Sequence, residues 1–378
     1  MVKILIAGDY APRERVAKLI DERQYEEIFE EVLNYTLEAD YSIVNLEAPV
    51  VGSPIAEPIK KCGPNLKCSV NAIEAVRYAG FDMVTLANNH IYDYGECGIY
   101  DTLSECSKND VATVGGGLNI THAAEIAYKD LKGIRFAFVN CCESEYSIAT
   151  ESSGGANPLN PIQQYYSILE AKRNADKIIV IVHGGHEHFQ LPSPRMQETY
   201  RFFIDAGADV VVNHHQHCYS GYEMYNGKPI FYGLGNFCFD WKKRGIGLWN
   251  QGYIVELIFD KEITFKLYPY EQCSETPSVK FLKQTSDFYR SINYLNSIIA
   301  NKEILKQKIN EYYASEYRSL FSVIEPLQNK YILALQKRKL LPSFQRKGWI
   351  LKLYNYIVCE SHRDKLYSYL KNVISLSK

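Results

Sequence analysis

The chain has 378 residues, 46% hydrophobic and 23% charged, which is ordinary globular composition with room for one large domain or two of usual size. A formal net charge of −2 excludes nucleic-acid binding driven by bulk basicity. No run of 18 apolar residues occurs, so no membrane span is readable.

Strands and helices alternate from residue 2 to about 215. "VKILIAG" reads as a buried strand, and residues 13–38 are charged and helical in pattern. "DYSIVNLE" is a second strand, followed by the helix "SVNAIEAVRYAG", closed by Gly80. "FDMVTLANN" is a third strand, "GIYDTLSECSKND" a helix and "VATVGGG" a short strand with a glycine turn. "IRFAFVN" and "DKIIVIVHGG" are further strands. "SPRMQETYRFFIDAG" is a helix, and "ADVVVNHHQH" is the strand after it. This alternation predicts an α/β protein with a largely parallel sheet. "GKPIFYGLGNFCFD", "GYIVELIFD" and "EITFKLYPY" then read as a second, more antiparallel sheet. After residue 280 the pattern is helical and polar, punctuated by Pro326 and Pro342.

The charge is uneven. Residues 301–378 carry 15 Lys and Arg against 6 Asp and Glu, and the remainder 27 against 38. An acidic body thus bears a basic tail, read as a helical face packed on the body through Leu351, Leu353, Ile357 and Leu366. The alternative is a surface for an anionic polymer or acidic lipid heads. The opening "MVKILIAGDYAP" is too short in apolar residues for a signal segment. Ten cysteines without a C-x-x-C pair read as reduced thiols of a cytoplasmic protein; a local Cys62–Cys68 pair is the alternative.

Five polar clusters share one place in the pattern, the C-terminal end of a predicted strand, where open α/β sheets hold ligands. They are Asp9 in "AGD", Asn45 and Glu47 in "NLEAP", "ANNHIYDYG", His183 and Glu187 in "VHGGHEH", and His215 and His217 in "NHHQH". An aspartate after a strand is by itself most often a turn or helix cap, and "NNH" alone fits an Asx-turn. Three histidines in four positions after "DVVV" have no such structural use. Six of the nine histidines fall in the last two clusters. Imidazoles and carboxylates converging on one sheet edge are ligands for borderline divalent metals, and such a set can hold two ions ~3.5–4 Å apart.

In order and spacing these motifs resemble the CapA-like family of poly-γ-glutamate capsule biosynthesis proteins, which is built on the calcineurin-like metallophosphoesterase fold. The resemblance runs through "GD", "NLEAP", "NNHIYDYG", "HGGHE", "NHHQHCYSGYE" and "YGLGNFCFD", over roughly residues 2–260. It implies a four-layer αββα sandwich with a helical C-terminal extension, divided as 1–275 and 276–378. Three departures stand out. Gly184 replaces a Trp of the family motif, Gln216 replaces a Pro, and Asp9 is followed by Tyr10 and Ala11 where phosphoesterases carry a metal-binding histidine.

The resemblance also implies roles. Asn89, His183 and His215 are expected to bind a second metal, Glu47 to bridge, and Asp9 with His217 to hold what remains of the first. One or two divalent transition ions (Mn, Zn or Fe) are expected. His90 faces the substrate, Asp93 orients its imidazole and Glu187 is a further general-base candidate. The implied function is a metal-dependent hydrolase or transferase in capsule or cell-envelope polymer biosynthesis, acting on an anionic polymer or a phosphorylated envelope precursor, with capsule-assembly proteins as partners. The alternative is a non-catalytic subunit of a polymer-assembly complex with a vestigial metal site. Family members often carry an N-terminal membrane anchor, and none is read here. A centre built on strand ends is expected to form without the extension.

Overall fold

The computed structural model of the protein describes residues 1–324, 331, 335, 338, 340 and 347–376. Pro326 and Pro342 lie outside the described residues.

Two sheets face each other. The first runs, from one edge, Val279–Phe281, Ile263–Gln272, Gln251–Phe259, Val2–Tyr10, Tyr41–Leu46, Met83–Thr85 and Ala112–Val114. Asn236–Cys238 pairs in parallel with the end of Val2–Tyr10. The second runs Tyr222–Tyr225, Lys228–Phe231, Val210–His214, Lys177–His183, Ile134–Cys142 and Ala127–Leu131.

The period-two geometry of a strand assigns side chains to layers. In the first strand, Leu5 and Ala7 join Val44 and Val84 beneath the helices Glu14–Asp21, Tyr25–Thr36, Asn71–Tyr78 and Gly95–Lys108, which supply Val16, Phe29, Ile73 and Ile99. Ile4 and Ile6 point the other way, into a core with Phe136, Phe138, Ile179 and Val211 of the second sheet. Helices Pro161–Asn174 and Pro194–Ala206 cover the far face of the second sheet with Ile168, Ala171, Met196 and Phe203. The result is the expected αββα sandwich. Each fully buried aliphatic or aromatic side chain contributes ~1.5–3 kcal/mol. A one-residue slip of the first strand would exchange its two faces and forfeit several of these at once.

Three local readings need correction. Residues 13–38 form two helices, Glu14–Asp21 and Tyr25–Thr36, because Arg23 takes a left-handed φ of +58° between them. The strands after residue 250 do not build a separate sheet; Gln251–Phe259 pairs antiparallel with Val2–Tyr10 and extends the first one. "GKPIFYGLGNFCFD" is divided between the sheets, Lys228–Phe231 pairing with Val210–His214 in the second and Asn236–Cys238 joining the first. The helix Pro161–Asn174 was not expected, although Asn160 with Pro161 is a cap signal: Asn160 Oδ1 accepts from the amides of Ile162 and Gln163.

The helical extension does not stand apart. Ser286–Ile299 buries Phe288, Ile292, Leu295 and Ile299 in the core of the second sheet. Lys302–Ile324, Lys347–Val358 and Glu360–Leu376 follow and pack on one another. Leu353 and Leu366 gather around Tyr356, and Leu351 is half-buried. Ile357 is 55% exposed, so it does not belong to the packing stripe. Polar ties fix the last helix to the body: Ser144 N and Oγ donate to Glu360, at 2.7 and 3.2 Å, and Arg195 Nε donates to Asp364 at 2.9 Å. No helix among the described residues is long and apolar enough to cross a membrane. All ten cysteines, Cys62 and Cys68 included, are free thiols.

Candidate metal centre

Sheet register brings the clusters together. Asp9 stands beside Asn45, Asn45 beside Thr85, and His214 beside His183 in the other sheet. A row of hydrogen bonds locks the first three: Thr85 Oγ1 donates to Asn45 Oδ1 at 3.0 Å, and Asn45 Nδ2 donates to Asp9 Oδ1 at 2.8 Å. The same Asn45 amide lies 3.3 Å from His183 Nδ1, across the gap between the sheets. Behind Asp9, its amide donates to Gly235 O at 3.1 Å. This approach needs Gly8, where a Cβ would lie 1.9 Å from Gly235 O. Gly235 itself has φ +82°. The "Gly-Asp" and "Leu-Gly-Asn-Phe" motifs are therefore two sides of one close contact.

Glu47, Asn89, His183 and His215 converge on one point. Asn89 Oδ1 and His215 Nδ1 lie 3.0 and 3.1 Å from His183 Nε2, and Glu47 Oε1 lies 3.6 Å from it. Glu47 also faces a second group, with Oε1 3.7 Å from His217 Nε2; Asp9 Oδ2 lies 3.9 Å from His217 Nδ1. Two ligand sets follow, Glu47–His183–His215 and Asp9–Glu47–His217, each with one donor atom per residue within 4.8 Å of the others. Glu47 belongs to both, in the bridging place. His217 Nδ1 lies 3.0 Å from Asn236 Oδ1. Its proton is thereby placed on Nδ1, and Nε2 keeps a lone pair toward Glu47. His215 and His217 hold φ of +90° and +55°, a left-handed backbone that costs ~1–3 kcal/mol per residue and is characteristic of functional loops.

The protonation pattern fits a bound cation. Glu47 is fully buried, and neither of its oxygens has a hydrogen-bond partner. Burial, then Asp9 and Glu187, hold its carboxyl well above the usual range. Burial also raises Asp9, but the facing His214, His217 and Asn45 outweigh it and keep Asp9 low. Burial and the neighbouring His215 hold His183 well below the usual imidazole value, which favours the neutral form that a metal ligand needs. The two neighbouring buried carboxyls are thus shifted in opposite directions. A divalent ion would let both ionise and satisfy the orphaned Glu47 oxygens.

His90 stands in a different arrangement. Its Nδ1 is 2.6 Å from Asp93 Oδ2, a separation that requires a shared proton. Asp93 also accepts from the Leu66 amide at 2.6 Å and forms an ion pair with buried Lys61. Lys61 Nζ lies 3.1 Å from His90 Nδ1. Burial and then Lys61 push His90 down to about 4, against the opposing pull of Asp93. At neutral pH the ring is uncharged, with Nδ1–H held by Asp93 and Nε2 free to accept a proton. Asn88 is structural: its Oδ1 accepts from the His90 amide and its Nδ2 donates to Leu46 O.

Glu187 borders the ligand sets without joining either: burial raises its carboxyl, but the neighbouring His217 and His215 outweigh that and lower it to about 2. Its carboxylate lies 3.7 Å from His188 and opens on a cavity of about 270 Å³ lined also by His186, Tyr312, His362 and Lys365. Two of its walls belong to the extension, so the tail reaches the outer side of the centre. Gly184 has a local reason: a Cβ there would lie 2.6 Å from Glu143 Cγ, whose carboxylate is held by Arg195 at 2.7 Å and by the Ser361 amide at 3.1 Å. Sequence reading did not assign Lys61, His214, Asn236 or Glu145 to the site. His214 and Asn236 lie inside the quoted motifs and could have been found there. Lys61 comes from an irregular loop that carries no pattern.

Fold and site together define a sandwich protein whose strand ends carry a buried histidine–carboxylate centre. The chain belongs to the bacterial capsule synthesis protein PGA_cap family, whose model matches residues 3–241. It is 33% identical over 243 residues to the capsule biosynthesis protein CapA of Bacillus anthracis, covering 62% of this chain and 59% of that protein. It is 32% identical over 236 residues to the PGA biosynthesis protein CapA of Bacillus subtilis (strain 168), covering 62% of each. The matches thus span about three fifths of the length of these relatives. Among solved structures, a 5'-nucleotidase precursor from Thermus thermophilus aligns with TM-score 0.44 and 10% identity, over 74% of this chain and 54% of that one.

Proposed function

We propose that the protein is a metal-dependent hydrolase or transferase acting on phosphoester or amide bonds in capsule or cell-envelope polymer biosynthesis. The observation that carries this reading is Glu47, a buried carboxylate without hydrogen-bond partners, set between two histidine-bearing ligand sets. Asp9, Glu47, Asn89, His183, His215 and His217 would hold one or two ions of Mn, Zn or Fe, a donor set of imidazole and oxygen that suits such metals. The metal would supply Lewis acidity and a lowered pKa for a bound water. The chain's own residues do the rest. Asp93 fixes the His90 proton on Nδ1, leaving Nε2 to take a proton from a nucleophile or to accept a substrate hydrogen bond. Lys61 places positive charge beside that ring, which suits an anionic substrate such as a polyglutamate or a phosphorylated precursor. Glu187 lines the outer cavity beside His217 and His215, which supports its reading as a further general base. The names of the Bacillus relatives support the polymer context. A division of labour follows in which residues 1–275 carry the centre and 276–378 cover it, in a cytoplasmic protein partnered with capsule-assembly components.

The test is reconstitution with Mn²⁺, Zn²⁺ or Fe²⁺, followed by assay on phosphomonoester, phosphodiester and γ-glutamyl amide substrates. Metal-dependent turnover lost in His90→Asn is expected. Metal binding without turnover on any class would favour the second reading, a non-catalytic assembly subunit. One observation leans that way: at the place of the missing phosphoesterase histidine, Ala11 is buried in the apolar core.

A further inference from the structure

A second group of ligand-type side chains lies where the extension meets the body. Glu145 comes from the loop after the strand Ile134–Cys142, and Cys359 and His362 from the junction of the helices Lys347–Val358 and Glu360–Leu376. One donor atom from each lies within 4.8 Å of the other two. Cys359 is buried, with Sγ 3.7 Å from Glu145 Oε1 and 3.8 Å from Glu143 Oε2. Glu143 is already committed to Arg195 and the Ser361 amide. Glu145 has no such ion pair among the described residues. It takes the thiol, and Lys61 and the Asn89 side chain lie near enough to oppose the rise that burial causes.

His362 is oriented as a ligand. Its Nδ1 lies 2.9 Å from the Asn355 side-chain amide, and Asn355 Oδ1 has no partner as placed. Turning that amide, whose oxygen and nitrogen are interchangeable in shape, lets Oδ1 accept from Nδ1–H and satisfies both groups. Nε2 then carries the lone pair. The ring packs near Tyr356, with centroids 5.1 Å apart and planes inclined by 32°. His362 also lines the cavity of about 270 Å³, so the group borders open space on the side of this ring. Cys and His three residues apart on one helical turn, with a carboxylate from elsewhere, form a three-ligand set with an open position. That is the pattern of an exchangeable zinc-type site.

We propose that Glu145, Cys359 and His362 bind a borderline divalent cation of the zinc class, separate from the strand-end centre and linked to it through Asn89. On binding, the Cys359 thiol loses its proton to solvent and the thiolate takes the metal. The ion thereby clips the extension to the body beside the centre. This does not depend on the catalytic reading above.

Cys359 is the one thiol in the three ligand groups among the described residues, so a sulfur signature that is lost in Cys359→Ser reports this site. The full-length, metal-free protein is titrated with Co²⁺ and followed by near-ultraviolet absorption. A thiolate-to-cobalt charge-transfer band with the intensity of one thiolate ligand per chain is expected once the sites are filled. Cys359→Ser should abolish it, His362→Ala should weaken cobalt binding there at least ~10-fold, and His215→Ala, which damages only the strand-end centre, should leave it intact. Absence of the band in the folded, cobalt-loaded wild-type chain overturns the proposal, as does its survival in Cys359→Ser. Should Cys359→Ser not fold, X-ray absorption on the zinc-loaded wild type decides: one sulfur scatterer at ~2.3 Å supports the site, and none refutes it.

Discussion

Glu47 and His183 face each other from opposite sheets, with Oε1 3.6 Å from Nε2, and no hydrogen bond satisfies either Glu47 oxygen. Metal should therefore stabilise the fold. A ligand that binds only the native state adds RT ln(1 + [L]/Kd), about 2.7 kcal/mol at a hundredfold excess over Kd. Wild type should unfold at higher temperature with added Mn²⁺ or Zn²⁺, and Glu47→Gln should lose most of that increment. An equal increment in both proteins would remove Glu47 from the ligand set.

His215 and His90 should separate by assay. His215 Nδ1 lies within the ligand set, whereas His90 is held outside it by Asp93 and Lys61. His215→Ala should lower metal affinity at least ~10-fold, and His90→Ala should change it little while removing turnover. Isothermal titration of both variants is the measurement. Equal losses would mean that the roles are misassigned.

Asn236 fixes the tautomer of His217 from behind, through a bond of 3.0 Å. Loss of such a partner costs ~10–100-fold in metal affinity. Asn236→Ala should show that loss with the secondary structure unchanged by circular dichroism. Unchanged affinity would show that His217 needs no such orientation.

Gly8 and Gly235 admit no side chain between them. In Gly8→Ala the new Cβ would meet a backbone oxygen at 1.9 Å, which no rotamer change relieves. Overpacking of this kind costs ~1–3 kcal/mol, and the upper end is expected. Because Asp9 follows directly, metal occupancy should fall as well. Urea unfolding with elemental analysis would test both, and a stable, fully loaded variant would contradict the contact.

Acid should loosen the extension through His186. The ring is buried, with Nε2 3.0 Å from Tyr313 Oη, and faces Lys365, Glu143, Arg195 and His362. Burial, then Lys365, hold its folded pKa well below 6.5. A depressed histidine pKa means that the unfolded chain takes up the proton first. Its share of stability is intact above pH ~6.5 and declines as pH falls below it, by up to about 1.4 kcal/mol per unit. His186→Gln should flatten the fall of melting temperature between pH 6.5 and 5 relative to wild type. Parallel curves would show that another group controls the acid response.

Much of the fold was legible because the strands are apolar runs closed by polar clusters at one end. What stayed hidden has physical causes. The break at Arg23 is one left-handed residue inside a helical pattern. The return of Gln251–Phe259 to the first sheet is a pairing choice between distant segments, which periodicity does not encode. Lys61 reaches His90 from an irregular loop, so its sequence neighbours gave no hint.

The sequence by itself marked the layers, through alternating burial, and singled out Asp9, Glu47, Asn89, His183, His215 and His217 as candidates, through motifs at strand ends. Only the tertiary structure decided which of these share a donor set. Asp9, Glu47 and Asn89 belong to one sheet and the three histidines to the other, and the distances between them depend on how the two sheets stack. It also decided that the extension lies against the centre, because Glu360, Ser361 and Asp364 find partners 216, 218 and 169 positions earlier in the chain. Such contacts follow from packing in three dimensions, which local sequence pattern cannot express.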